Sequence, residues 1–246
     1  MLSKVLFERL YNASAIVFVT GSGVSIESGL PSFHGEDGIW KGHKPQDLAN
    51  LETFNSNHSL VWDWYRWRQE QIQKAKPNLA HYALVDFQDR FDEFAVITQN
   101  IDGLHQKAGS RKVLEVHGNI FNAVCVKCSH KIKKFMPDTS SPKCPECGNL
   151  LRPDVYWKGD QLDKKILEEA QQVTAVCEVF FAVGTSGLVE PVSTLPFISK
   201  ANGSFLIEIN PKKSQLSDKV DERIEGKAAE WLPKITIVYD KITGKS

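Results

Sequence analysis

Residues 94–105, FAVITQNIDGLH, contain the pattern that decides the fold. The first five, Phe94–Thr98, have the continuous apolar character of a strand that is buried on both faces. Three polar side chains follow almost at once, namely Gln99, Asn100 and Asp102. They fit two interpretations. They are turn formers, or they bind a polar small molecule at the carboxyl end of the strand.

Similar short apolar runs recur along the chain with helical patterns between several of them. The other predicted strands are Ala15–Val19, Val113–Val116, Val179–Val183, Phe205–Ile209 and Ile235–Val238. The predicted helices between them are Leu79–Phe91, Lys164–Ala175 and Val192–Lys200. This alternation predicts an α/β fold with a Rossmann-like, mostly parallel sheet.

Two stretches interrupt that rhythm and predict a smaller inserted domain. Residues 36–78 show no clear strand and are rich in aromatic side chains, and residues 119–153 contain four paired cysteines. We expect the Rossmann-like domain to comprise residues 1–35, 79–118 and 154–246. The helical module 36–78 and the cysteine module 119–153 would form the small domain.

Bulk composition argues against several classes of partner. The 246 residues contain 30 Lys plus Arg and 30 Asp plus Glu, so no excess of positive charge favours nucleic acid or a membrane surface. No apolar run approaches the length of a membrane span. The N-terminal segment has helical spacing interrupted by Glu8 and Arg9, unlike a signal peptide. We expect a cytoplasmic protein that is a monomer.

The cysteines give the most specific pattern. Two CxxC pairs, Cys125/Cys128 and Cys144/Cys147, are separated by fifteen residues, and Cys177 stands alone. Two such pairs supply four thiolates for one tetrahedral zinc ion per chain, and that ligand set leaves no position for a catalytic water. The alternative is four unrelated reduced cysteines. Cys177 is predicted to be a small buried residue.

A glycine-rich loop, TGSGVSIESG at residues 20–29, follows the first predicted strand. Glycines allow a tight turn and close approach to a phosphate, and the N-terminus of a following helix would add N–H donors. The spacing departs from G-x-G-x-x-G because Ile26 occupies the third glycine position. A plain glycine turn is the alternative.

Two further sites carry candidate chemistry. His117 ends the run Val113–Gly118, at a strand end where ligands of α/β sheets bind, and an imidazole suits a general base near neutral pH. Tyr65 and Arg68 lie three residues apart and share a helix face, where they could bind a carboxylate. The alternatives are a structural histidine and a helix that buries its tryptophans while its arginines extend into solvent.

The order of these motifs resembles that of the sirtuins, NAD-dependent protein-lysine deacylases. The likeness runs from Ala15 to about Pro233. GSGVSIESGLPSF resembles the family's GAGISAESGIPTF, and TQNIDGLH, EVHG, the CxxC pairs, Gly184-Thr-Ser186, RPDV, EIN and GKA follow in the family's order. VWDWYRWR, with Tyr65-x-x-Arg68, resembles the class III branch, which prefers succinyl, malonyl and glutaryl groups.

The resemblance implies a role for each matching position. NAD would be consumed as a co-substrate, and the zinc would stabilise the small domain. His117 would be the catalytic base. Acyl-lysine peptides would contact Tyr65, Arg68, Val155, Trp157 and Gly159. The implied NAD-binding residues are Gly21, Ser22, Gly23, Glu27, Phe33, His34, Trp40, Gln99, Asn100, Asp102, Gly184, Thr185, Ser186, Asn210 and Ala228.

The implied reaction begins when the acyl-lysine oxygen attacks C1′ of the nicotinamide ribose and nicotinamide leaves. His117 then helps to deprotonate a ribose hydroxyl, which attacks the acyl carbon. The products are lysine, nicotinamide and O-acyl-ADP-ribose. Other functions on the same scaffold are a plain deacetylase, a mono-ADP-ribosyltransferase and a low-turnover NAD- or ADP-ribose-binding module.

Three positions depart from the family pattern. His34 replaces an arginine that contacts NAD, which predicts weaker or pH-dependent cofactor binding. Lys158 replaces a phenylalanine of the acyl-lysine channel, which either favours an acidic acyl group or disturbs the apolar wall. Tyr156 replaces a small aliphatic residue.

Overall fold

The structure is a computed structural model that describes residues 2–31 and 39–244. Its main element is a parallel sheet of six strands in the order β3-β2-β1-β7-β8-β9. These strands are β1 (Ala15–Thr20), β2 (Glu93–Thr98), β3 (Val113–Glu115), β7 (Val179–Val183), β8 (Phe205–Asn210) and β9 (Glu222–Glu225). The predicted α/β fold with a Rossmann-like, mostly parallel sheet is confirmed.

Helices cover both faces of this sheet. The larger are α1 (Lys4–Asn12), α5 (Leu79–Gln88), α7 (Lys164–Val176), α8 (Leu195–Ala201) and α9 (Ala228–Thr243), and α6 (Leu104–Ala108) is short. Two apolar clusters result, one of which includes Phe18, Phe87 and Phe181, while the other includes Val17, Phe180 and Leu206. Alternate residues of the same strands thus enter opposite cores, which explains why the central strands are mostly apolar.

The predicted strand Ile235–Val238 is wrong, because these residues lie inside helix α9. The buried side chains Leu232, Ile235, Thr236 and Tyr239 follow helical spacing, while Ile237 is exposed. A short apolar run fits a strand and a buried helix equally well, and only the wider spacing separates them. The charged edge strand β9 was not predicted.

A second, antiparallel sheet has the order β5-β4-β6. Its strands are β4 (Gly118–Cys125), β5 (Lys131–Ile132) and β6 (Leu151–Val155). The helices α2 (Pro45–Leu48), α3 (Leu51–Ser56) and α4 (His58–Lys74) share a third apolar cluster with it.

Helix α4 is attached to the small sheet by buried hydrogen bonds. Trp62 Nε1 donates to the carbonyl of Leu151 at 2.8 Å, and Gln69 Nε2 donates to the carbonyl of Ile120 at 2.7 Å. These two hydrogen bonds fix the position of α4 relative to the small sheet. Within the described ranges, no helix combines the length and hydropathy needed to span a bilayer.

Candidate active site at the carboxyl edge of the parallel sheet

The strand order reverses between β1 and β7, so the connections that leave their carboxyl ends diverge and open a crevice. The glycine loop after β1 lines it. Here Ser22–Val24 and Ile26–Ser28 form short 3-10 turns, so no α-helix begins within these residues to supply N–H donors. Gly29, with φ 82°, ends the second turn in a conformation that glycine adopts readily.

The glycines allow two strand ends to approach each other closely. A Cβ atom on Gly23 would lie 2.7 Å from the Cα of Gly184, and one on Gly21 would lie 2.7 Å from the carbonyl oxygen of Gly184. The backbone N–H of Gly23 donates to that oxygen at 2.9 Å. Gly184 itself has φ 57°, a region that other residues rarely adopt. These three glycines thus allow close packing of the two loops.

A cavity of about 530 Å³ lies beside this contact, within the usual size range for small-molecule sites. Its walls bring together six of the predicted NAD-binding residues, and Lys212 and Lys213 add positive charge that the sequence analysis did not single out. The six are Ser22, Gly23, Gly184, Thr185, Ser186 and Asn210.

The polar residues after β2 connect the strand ends. Gln99 Oε1 accepts a hydrogen bond from the Thr185 hydroxyl at 2.9 Å, which ties β2 to the segment after β7. Asn100 and Asp102 are both buried and bond to one side chain, the hydroxyl of Ser25, at 3.2 Å and 2.7 Å. The three side chains are therefore held by hydrogen bonds to the loops that follow β1 and β7.

Ser25 is a site residue that the sequence analysis did not single out, although it lies in the quoted glycine loop. Its hydroxyl donates to Asp102 and accepts from Asn100, so it fixes the amide and the carboxylate relative to each other. Burial raises the pKa of Asp102, while hydrogen bonds from the Leu104 N–H and from Ser25 oppose that rise. Only the folded chain places Ser25 next to Asn100 and Asp102.

His117 follows β3 and lies close to the end of β2. Its Nδ1 is 3.2 Å from the carbonyl oxygen of Gln99, and a carbonyl only accepts, so Nδ1 carries the proton. Nε2 then holds a free lone pair, and this atom is buried without a hydrogen-bond partner among the described residues. Burial lowers the pKa of His117 to about 4. The imidazole is neutral at physiological pH, as a proton acceptor must be.

Acidification is expected to destabilise the protein, because three histidines, of which two are buried and His117 is part-buried, must stay neutral in the fold. Burial lowers the pKa to about 4 for His81 and His117 and to about 3 for His105, against ~6.5 in an unfolded chain. The stabilisation that comes from keeping these histidines neutral is fully present above pH ~6.5 and is lost progressively as the pH falls toward 4. Each group contributes a slope of up to about 1.4 kcal/mol per pH unit.

Urea unfolding between pH 7 and pH 5 measures this slope. The raised pKa values of Asp102 and Glu115 oppose it, so the net slope is smaller than three protons would give. In the wild type, His105 Nε2 lies 2.9 Å from the Thr20 hydroxyl, and the amide of His105→Gln can replace this hydrogen bond. The variant should lower the dependence of the unfolding free energy on pH by the equivalent of about one proton. Stability that stays flat or rises on acidification, or an unchanged slope in the variant, would contradict the assignment.

Tyr65 and Arg68 occupy the face of α4 that approaches the crevice. The Tyr65 hydroxyl is buried and accepts a hydrogen bond from Trp157 Nε1 at 2.8 Å, which leaves its own proton free to donate. Burial raises the pKa of Tyr65 and lowers that of Arg68, and Tyr65 and Asp102 both favour the charged form of Arg68. The alternative in which every arginine of α4 extends into solvent does not fit Arg68.

The remaining predicted residues occupy three places. Val155, the last residue of β6, and Trp157, which follows the strand, are buried, and Gly159 is exposed in the next turn. Glu27 accepts from the Ala229 N–H at 3.1 Å and so contacts the start of α9, where Ala228 is buried. Trp40 lies against Trp67. The predictions for Phe33 and His34 lie outside the described residues.

The four paired cysteines converge away from the crevice. All four Sγ atoms lie within 4.8 Å of one another, with Cys125–Cys147 and Cys128–Cys147 at 3.4 Å and Cys128–Cys144 at 3.7 Å. Zn–S bonds of about 2.3 Å in a tetrahedron require sulfur separations of about 3.8 Å. The donor set and its spacing fit one structural zinc. Cys177 is buried elsewhere, as predicted.

Comparison with known proteins agrees with this architecture. A model described as the Sir2 family matches residues 21–191. An NAD-dependent protein deacylase of Aquifex aeolicus (strain VF5) is 44% identical over 94% of this chain and 96% of its own. One from Aeropyrum pernix is 44% identical over 92% of this chain and 93% of its own.

Solved structures show the same fold. A Sir2 homologue in complex with NAD superposes with a TM-score of 0.94 at 36% identity, over 98% of this chain and 95% of that one. A mutant homologue in complex with 2′-O-acetyl ADP-ribose gives a TM-score of 0.94 at 37% identity, over 98% of both chains.

The parallel sheet, its crevice and the four-cysteine cluster together are those of the sirtuin class. The two relatives of this chain named above are NAD-dependent protein deacylases. The chain belongs to the Sir2 family.

Proposed function

We propose that this chain is an NAD-dependent protein-lysine deacylase that prefers acyl groups ending in a carboxylate, namely succinyl, malonyl and glutaryl. NAD is consumed, and the products are nicotinamide, O-acyl-ADP-ribose and free lysine. The activity is supported by the named relatives and by the homologue that binds NAD. The acyl preference is supported by the environment of Arg68.

The crevice offers groups suited to each part of NAD. Thr185, Ser186 and the glycine loop line the cavity, where backbone N–H and hydroxyl groups suit a pyrophosphate and a ribose. Gln99, Asn100 and Asp102 supply the donors and acceptors that a carboxamide and a ribose need. We assign Asn210 and Ala228 to the adenosine end.

His117 is the proposed general base. Its free Nε2 lone pair accepts the proton of a ribose hydroxyl, while the Gln99 carbonyl on Nδ1 stabilises the imidazolium that forms. The deprotonated oxygen can then attack the acyl carbon. Zinc takes no part in these steps and supplies only the fold of the small domain.

Arg68 carries the acyl preference. Among the described residues, no carboxylate forms an ion pair with its guanidinium, whose Nε is buried and lacks a hydrogen-bond partner. One terminal nitrogen donates to the carbonyl of Pro31 at 3.3 Å. A buried, unpaired N–H is costly, so this arginine favours a ligand that brings an acceptor, and a carboxylate is the acceptor that guanidinium binds best.

A rigid frame holds Tyr65 beside this arginine. Trp157, which donates to the Tyr65 hydroxyl, lies under the guanidinium of Arg152 at 3.8 Å from its ring centroid. Arg152 forms an ion pair with Asp160 at 2.5 Å, and Asp160 also accepts from the Trp157 backbone N–H at 2.9 Å. With its oxygen occupied by Trp157, the Tyr65 hydroxyl can donate to an acyl carboxylate.

Arg68→Met is expected to lower kcat/KM for a succinyl-lysine peptide by about 10- to 100-fold and to change that for the matched acetyl-lysine peptide far less. Methionine keeps much of the apolar stem and removes the charged hydrogen bonds. Mass spectrometry of matched acetyl-, succinyl- and glutaryl-lysine peptides with NAD measures both rates. Arg66→Met is the matched control, because Arg66 lies on the same helix but pairs with Asp63.

A plain deacetylase is the second candidate, and the homologue bound to 2′-O-acetyl ADP-ribose favours it. Equal losses on acetyl and succinyl peptides in Arg68→Met would mean that Arg68 supports structure, and the acidic preference would fall. NAD binding without nicotinamide release by the wild type would instead indicate a binding module.

A further inference from the structure

Tyr156 is a residue that the proposed mechanism does not use, although it contacts the proposed base. It follows β6 directly, and its backbone N–H donates to the carbonyl of His117 at 2.9 Å. Gly118 makes this contact possible. Its φ is 78°, and a Cβ atom there would lie 2.1 Å from the carbonyl oxygen of Asp154. The backbones that carry Tyr156 and His117 are therefore fixed against each other.

The two side chains are stacked. The ring centroids of Tyr156 and His117 lie 5.1 Å apart with an interplanar angle of 20°, a separation typical of offset aromatic stacking. The hydrogen bond between Nδ1 and the Gln99 carbonyl fixes one edge of the imidazole, and the phenol ring fixes its plane. The direction of the Nε2 lone pair is then determined. A small aliphatic side chain, as expected at this position from the family pattern, has no ring to stack.

We propose that Tyr156 is a positioning residue for His117. Its aromatic ring holds the imidazole plane so that Nε2 faces the reacting hydroxyl, and it excludes water from one face of the base. This inference rests on the proposed role of His117 as the base.

The surroundings of His117 allow a clean test. Burial and the Gln99 carbonyl are the two influences on its pKa among the described residues, and no charged side chain contributes. The groups that face it are thus the carbonyl after β2 and the phenol after β6. Loss of the ring should admit water and raise the pKa of His117 from about 4 toward ~6.5.

The experiment compares Tyr156→Val, which removes the ring, with Tyr156→Phe, which keeps the ring and removes only the hydroxyl. Two quantities are measured for each variant. The first is the pKa of His117 by NMR titration of the free protein, and the second is the pH dependence of kcat/KM for a succinyl-lysine peptide. Circular dichroism confirms folding. We expect Tyr156→Phe to behave as the wild type. In Tyr156→Val, His117 should titrate at higher pH, and kcat should fall roughly tenfold with little change in the KM for NAD. A tenfold loss is part of the ~10²- to 10⁴-fold rate increase that a general base contributes.

Three results would overturn the inference. They are an unshifted His117 titration in Tyr156→Val, an unchanged kcat despite a shift, and an equal loss in Tyr156→Phe, which would assign the effect to the hydroxyl. If Tyr156→Val does not fold, Tyr156→Leu replaces it, since leucine fills more of the same space. If the wild type deacylates no peptide, the proposed function fails, and the titration of the free protein alone then decides on the stacking.

Discussion

His117→Ala is expected to reduce the formation of free lysine and O-acyl-ADP-ribose by about 10²- to 10⁴-fold, the usual contribution of a general base. The reason is the Nε2 lone pair of a neutral imidazole, which has no hydrogen-bond partner among the described residues. Mass spectrometry of free lysine and O-acyl-ADP-ribose measures the loss. The fold should persist, because the side chain makes a single hydrogen bond within the described part of the chain, to the Gln99 carbonyl.

His58→Ala is the matched control. This histidine also bonds through one ring nitrogen, to the Ser141 hydroxyl at 2.9 Å, but it lies at the start of α4 away from the crevice. Its loss should leave turnover close to that of the wild type. Retained turnover in His117→Ala would remove His117 from the role of base, whereas equal losses in both variants would indicate general destabilisation.

Loss of the zinc is expected to have the largest effect on stability. Cys144→Ser replaces a buried thiolate of the cluster, so we expect less than one zinc per chain and a midpoint of thermal unfolding lowered by more than about 10 °C. The small sheet should loosen first, because β4 ends at Cys125 and the turn Cys144–Cys147 leads into β6. Elemental analysis and thermal unfolding measure both quantities.

Cys177→Ala provides the matched control, since Cys177 is buried and free but lies far from the cluster in the fold, next to Ser204. It should retain one zinc per chain. A wild-type protein that holds no zinc when freshly purified, or a Cys144→Ser variant that stays fully loaded and equally stable, would exclude the structural zinc site. Trp62 and Gln69 bond α4 to the small sheet. Loosening of that sheet should therefore also displace Tyr65 and Arg68 on α4 and reduce the turnover of succinyl-lysine peptides.

Local patterns were sufficient for most strands and for the metal site. The strands β1, β2 and β7 are almost continuously apolar and β8 is mostly so, because both faces of the sheet are covered, and that signal is visible in the sequence. The spacing of four cysteines likewise identifies a ligand set, since each CxxC pair is local. The run Ile235–Val238 was misassigned because four apolar residues are compatible with two periodicities, and the burial of Leu232 and Tyr239 decides between them.

The candidate site divides in the same way. The sequence by itself determined which polar residues end the strands, including Gln99, Asn100, Asp102 and His117, and the order of motifs that marks a sirtuin. Only the tertiary structure decided that Ser25 joins Asn100 to Asp102, that the buried Nε of Arg68 finds no partner among the described residues, and that Tyr156 stacks on His117. The physical reason is sequence separation. Local residue patterns specify strands and ligand types, whereas pairing, burial and pKa depend on contacts between residues 39 to 77 positions apart, which exist only after the chain has folded.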